Sequence, residues 1–176
     1  MTRWSSKKII EWYSAQEWLI GSNFLPSTAI NQLEMFQTET FDEKTIRKEL
    51  GLAKSLGFNS MRVYLHDLLW EIKDEFLISF EKFLSICEEN NIKPIIVLFD
   101  DCHRANPKLG AQYPPVKGIH NSGWSQSPGH KIVKDINNGY MSELKRLKNF
   151  TQEVLDLYRN DQRILLWDLY NEPGQF

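Results

Sequence analysis

The sequence predicts an α/β fold in which parallel β-strands alternate with helices that cover the sheet. Three observations lead there. Strand-like and helix-like segments follow one another in strict alternation along the 176 residues, the order expected of a parallel sheet with crossover helices. The runs Ile95-Ile96-Val97-Leu98 and Ile164-Leu165-Leu166 are continuously apolar, which suits strands buried on both faces. Polar residues then recur just past each strand-like run, at corresponding places in the alternation.

The elements follow in order. Ser5 to Ser14 reads as a short helix with Ser5 or Ser6 as its cap. Trp18-Leu19-Ile20-Gly21 reads as the first strand, followed by a polar loop to Thr40. Thr40 and Glu43 have capping-box spacing. Behind them Ile46, Leu50, Ala53 and Leu56 recur on one helical face, and Gly57 is suited to a left-handed stop. Ser60 to Leu65 is the second strand. Leu77, Phe80, Leu84 and Cys87 mark the next helix, which Asn90-Asn91 ends. Lys93-Pro94 opens the third strand, Ile95 to Phe99. A long segment from Asp100 to about Gly139, rich in Pro, Gly, Ser, Asn and His, reads as loop. Leu144, Leu147, Phe150, Val154, Leu155 and Tyr158 then draw a helical stripe, and Ile164 to Tyr170 is the fourth strand.

Two architectures accommodate this order: an open doubly wound sheet and a (β/α)8 barrel. The open nucleotide-binding form usually carries a Gly-rich turn after its first strand. No such turn and no P-loop is present. In a parallel barrel the strand-end residues share one rim, the face on which active sites are built. Those residues are Asn23; Arg62, His66 and Asp67; Asp100, Asp101 and His103; and Asn171 with Glu172.

Composition narrows the function. A net charge of −2 offers no broad basic surface for nucleic acid. No apolar run reaches membrane-spanning length, and Met1 to Lys8 lacks the apolar core of a signal peptide, so the expectation is a cytoplasmic protein without membrane partners. The two cysteines, Cys87 on a predicted apolar stripe and Cys102 in a loop, form neither a disulfide framework nor a zinc motif. Aromatic residues make up 12% of the chain, with six Trp; this suits a core and also the stacking of sugar rings.

"WDLYNEPG", Trp167 to Gly174, resembles the fourth-strand signature of retaining glycoside hydrolases with a (β/α)8 barrel, the cellulase-like family 5 and its clan relatives. "GFNSMRVYLHDLLW" is similar to their second-strand motif. "GSNFLPSTAINQLEMFQTETF" and "HNSGWSQSPG" are similar to the first-strand region and long third loop of a cellulase/xylanase-like subgroup. The resemblance covers essentially the whole chain. It implies that Glu172 is the general acid/base, its pKa raised by burial and by a negative partner, and that Asn171 holds the sugar 2-hydroxyl. It implies a supporting role for Arg62 beside the nucleophile. Asn23, His66, Asp100, His103 and Trp124 are the expected substrate-binding residues, with Trp124 as a sugar platform. The implied substrate is a β-linked oligo- or polysaccharide, with no cofactor and no metal. The third strand end, Asp100-Asp101-Cys102-His103, departs from the Asp-x-His-His often found in that family, and His103 matches one of its histidines.

A (β/α)8 barrel typically needs about 250 residues. The resemblance therefore identifies residues 1–176 as one unit, the first four β/α units of such a barrel. The family's nucleophile, a Glu at the end of strand seven, has no counterpart here, so this chain alone is expected to be inactive. It is also expected to expose strand edges through which it self-associates. Two other readings stand beside this one. One is a metal-dependent barrel isomerase or hydrolase using His66, Asp67, Asp100, Asp101 and His103. The other is a non-catalytic, carbohydrate-binding or degenerate barrel remnant.

Overall fold

The structure, a computed structural model, describes residues 3–174. Its elements are helix α1 (Ser6–Ser14), strand β1 (Gly21–Asn23), helices α2 (Gln32–Phe36) and α3 (Glu43–Ser55), strand β2 (Ser60–Tyr64), helix α4 (Lys73–Glu89), strand β3 (Lys93–Asp100), helices α5 (His130–Asn137) and α6 (Met141–Tyr158), and strand β4 (Leu166–Asn171). The sheet order is β1-β2-β3-β4 and every neighbouring pair is parallel. The predicted α/β architecture of four parallel strands alternating with helices is therefore present. Among the described residues no helix is long and apolar enough to cross a membrane.

The core lies between the sheet and its helices. Met61, Val63, Leu65, Ile96 and Leu98 supply the sheet side, and Ile46, Leu50, Phe76, Phe80, Phe83, Leu84, Phe150 and Val154 the helix side. Phe36 meets Phe76, Phe80 and Phe83 edge-on at 5.7–5.8 Å, the offset geometry aromatic rings prefer.

Several boundaries differ from the sequence expectation. The first strand begins at Gly21, later than the expected Trp18. Trp18 to Ile20 is instead tied down by the Asn59 side chain, which donates to the Trp18 carbonyl (2.9 Å) and accepts from the Ile20 N–H (2.8 Å). Pairing starts at Gly21, where a Cβ would lie 2.1 Å from the Ser60 carbonyl oxygen; only glycine permits that approach. The cap of α3 is Asp42, whose carboxylate accepts from the Thr45 N–H, while the Thr40 hydroxyl donates to the Glu34 carbonyl. Leu56, expected on the buried face, is 75% exposed. The helix closes through Gly57 at φ +88°, with Gly57 N–H donating to Lys54 O and Phe58 N–H to Ala53 O. In this C-terminal motif the hydrophobic contact falls to the residue after the glycine, and Phe58 packs against the core in place of Leu56. Asn91, at φ 54°, ends α4 by the same bonds.

The two expected loops contain further helices, α2 in the first and α5 in the second, and a 3-10 turn covers Asp67–Ile72. The expected burial of the fourth strand on both faces is not found. Leu166 is 40% and Leu169 62% exposed, because no described strand pairs with the outer edge of β4.

Candidate functional site

Because the four strands are parallel, their C-terminal ends share one rim. A cleft of about 1000 Å³ opens there, lined by Asn23, Arg62, Tyr64, Asp100, Cys102, His103, Trp124, Asn171 and Glu172 among others. Of the residues expected to act on or bind substrate, all border this cleft except His66; Asp67 and Asp101, expected on the same rim, do not line it either.

Arg62 on β2 is the hub. Its Nε and Nη2 donate to Asp168 Oδ2 at 3.2 and 2.5 Å, and Nη2 also donates to Asn171 Oδ1 at 2.9 Å. Nη1 donates to the Tyr64 hydroxyl, whose ring lies 4.8 Å from the guanidinium. Burial pushes the Tyr64 phenol up to about 12, so it stays protonated at neutral pH. Asp168 and Asn171 are three residues apart on β4, yet both reach one guanidinium. In a regular strand residues three apart face opposite sides. The β3–β4 register is the same before and after Leu98 and Leu169, and both contacts are made through Arg62 Nη2.

Asp100, buried at the end of β3, is the second organiser. Its Oδ1 accepts from Asn171 Nδ2 (2.9 Å) and from the Cys102 N–H (3.0 Å), while Oδ2 accepts from Trp124 Nε1. The Asn171 amide is thus held from both ends, its oxygen by Arg62 and its nitrogen by Asp100. Trp124 is fixed from two directions as well, with its ring edge-on to Tyr64 at 5.0 Å.

Glu172 follows β4 in a left-handed conformation, φ 48°. Its Oε2 accepts from the Cys102 thiol at 3.2 Å. The burial expected for this carboxyl is not observed: Glu172 is exposed on the cleft wall. His103, at φ 76°, is exposed beside His120, with ring centroids 6.0 Å apart. Asn23, also exposed, ends β1 at the cleft margin.

His66 lies elsewhere. It is fully buried, and its Nδ1 lies 3.1 Å from the Leu68 nitrogen at the head of the 3-10 turn and 3.2 Å from Asp67 Oδ1. Asp67 is likewise buried, away from the cleft lining. It accepts from the Ser127 hydroxyl (2.7 Å), and its Oδ2 lies 2.8 Å from Arg146 Nη2. Burial pushes the Asp67 carboxyl up, but His66, Ser127 and Arg146 together outweigh it and hold it down at about 2. Asp101 bonds the Tyr170 hydroxyl (2.6 Å) and the Gly174 N–H (2.7 Å), fixing the turn that carries Glu172. The donors suggested for a metal site therefore point to different places. Among the described residues no cluster of three or more His, Cys, Asp or Glu is arranged to hold a metal ion.

Asp168, Tyr64 and Cys102 join the site without having been singled out for it. Asp168 stands inside the quoted fourth-strand motif and Tyr64 two residues after Arg62. A charged residue inside an otherwise apolar strand was the available signal for Asp168. The chain matches no protein-family model and no curated protein sequence.

Proposed function

We propose that this chain is the front half of a (β/α)8 glycoside hydrolase acting on a β-linked oligo- or polysaccharide, with Glu172 as its general acid/base. The observation that carries the reading is the Arg62–Asn171–Asp100 arrangement beside Glu172 at one open cleft. An amide locked between a guanidinium and a carboxylate is a fixed hydrogen-bonding group, and fixed groups are what a transition state rewards. Its remaining N–H faces only the soft sulfur of Cys102 at 3.5 Å, a weak acceptor that a sugar hydroxyl displaces readily. Trp124 offers an indole held in place for stacking against a sugar ring.

In the retaining mechanism Glu172 protonates the leaving glycosidic oxygen and then takes a proton from the attacking water. A second carboxylate, about 5–5.5 Å from the first in retaining enzymes, attacks the anomeric carbon. No described residue is assigned that part: Asp100 and Asp168 line or adjoin the cleft, but each is engaged in holding Asn171, Trp124 or Arg62. The exposure of Glu172 favours a second reading, a sugar-binding module without turnover.

The test is binding followed by turnover. Gluco-, xylo- and manno-hexasaccharides are titrated against the full chain by tryptophan fluorescence. Saturable binding to one of them, lost in Trp124→Ala, is the expected result; no binding to any of the three overturns both readings. Where the polypeptide also supplies the second carboxylate, Glu172→Gln lowers hydrolysis of an aryl β-glycoside by about 10²–10⁴-fold. An unchanged rate there leaves only the binding module.

A further inference from the structure

Cys102 stands between the two groups that matter most in the cleft. Its Sγ is 3.2 Å from Glu172 Oε2 and 3.5 Å from Asn171 Nδ2. Its backbone N–H donates to Asp100 Oδ1 at 3.0 Å, the same oxygen that accepts from Asn171. The loop after β3 and the turn after β4 are thereby joined through one side chain. We propose that Cys102 is a positioning residue for Glu172: its thiol donates to the Glu172 carboxylate and, with Asp100 and Asn171, sets where that carboxylate stands over the cleft. The role rests on the reading of Glu172 as a proton donor.

The thiol is a donor here, not a nucleophile. Burial pushes its pKa up, and hydrogen bonds with Glu172 and Asp100 add to that, so it stays S–H at neutral pH. A thiol is a weak donor. A hydrogen bond to a carboxylate favours the charged form and makes the acid harder to protonate. A weak donor therefore orients Glu172 while leaving its proton available, which a hydroxyl in the same place would not do as well. Among the described residues, charged or titratable groups that line the cleft with Glu172 or adjoin its turn include Arg62 and Tyr64 from β2, Asp100, Asp101 and His103 from the end of β3, His120 from the long loop and Asp168 from β4. They are common to wild type and the variants below, so a difference between variants reports on position 102.

The experiment follows the Glu172 side-chain carboxyl by ¹³C NMR through a pH titration of the full chain, in wild type, Cys102→Ser and Cys102→Ala. The expected order of midpoints is Ser below wild type and wild type below Ala. A purely structural loss would not move the two variants in opposite directions. Coincident midpoints, or shifts of the same sign, overturn the proposal. If either variant fails to fold, Glu172→Gln supplies a second reading, because that side chain is exposed. The pH midpoint for iodoacetamide alkylation of Cys102, followed by peptide mass spectrometry, is expected to fall when the carboxylate is removed; an unchanged midpoint overturns the proposal. Opposite shifts in a chain that binds no β-linked hexasaccharide uphold the contact and overturn the glycosidase reading. Saccharide binding without any shift overturns the positioning role alone.

Discussion

Asp67 shows how one buried charge can serve a site it does not touch. Its carboxylate joins the turn after β2 to Ser127 in the long loop and to Arg146 on α6, which Glu143 also holds at 2.9 Å. The folded carboxyl lies at about 2 against an ordinary value of 3.8, a difference worth about 2 kcal/mol of stability. Because the folded value is depressed, this contribution is complete above the unfolded value and is lost as pH falls through the folded one. Asp67→Asn is therefore expected to be about 2 kcal/mol less stable at pH 7, and the gap to wild type to narrow from about pH 4 down to about pH 2. Urea unfolding midpoints across that range check it; a gap that does not change with pH contradicts the assigned charge. At this scale the sequence disclosed the polar strand ends but not which way each would turn. His66 and Asp67 look like cleft residues by position. They are drawn inward instead because a 3-10 turn begins at once and because Ser127 and Arg146, far along the chain, supply the partners.

Helix α2 has one turn and a half, yet every residue in it is buried. Its role is to seat the long loop that carries Trp124. Asn31 caps it, accepting from the Leu33 and Glu34 N–H groups, and donates through Nδ2 to Gln112 Oε1 and the Gly123 carbonyl. Gln32 donates to the Ser125 carbonyl, Glu34 accepts from the Gln112 N–H, and Gln37 exchanges bonds with Gly110. At Gly123 a Cβ would come within 2.8 Å of Ile30, so the loop lies tightly on this peg. Asn31→Ala removes the cap, which costs about 0.5–2 kcal/mol, and frees two loop partners. Amide hydrogen exchange is expected to accelerate across residues 110–126 while α3 and α4 keep their protection. Equal protection in both regions would show that α2 does not hold the loop. The strands and the three long helices were legible from periodicity because each buries one regular face. Helix α2 was not, since it is too short to show a period and its polar residues are buried by bonds to a segment about eighty residues away. Its one local signal was Asn31 followed three residues later by Glu34, a capping pattern that loop-like composition obscured. The first strand was misplaced because a side chain, Asn59, stands in for a strand neighbour, and periodicity does not register that.

At the scale of the whole molecule the sheet has two unpaired edges among the described residues, the outer sides of β1 and β4. Both carry exposed apolar side chains: Ile20 next to β1, and Leu166 and Leu169 on β4. A second apolar surface runs beside β4, a groove of about 1020 Å³ that includes Trp4, Phe99, Val133, Ile136, Leu144, Leu155 and Tyr170. Open strand edges with apolar flanks invite pairing, and contiguous apolar surface of this kind is usually covered in solution. Since all four strands run the same way, β4 of one copy can meet β1 of another in the same parallel sense. Residues 1–176 made as a separate polypeptide are therefore expected to associate. Light scattering after size exclusion should give a mass above 20.7 kDa that falls on dilution. Leu169→Lys places a charge on the exposed β4 edge and should shift the protein toward monomer without altering its circular dichroism. Edges of this kind need a partner. A concentration-independent monomer of 20.7 kDa that hydrolyses β-glycosides would mean that this sheet is finished with four strands, and the half-barrel reading would fall together with the missing carboxylate it requires.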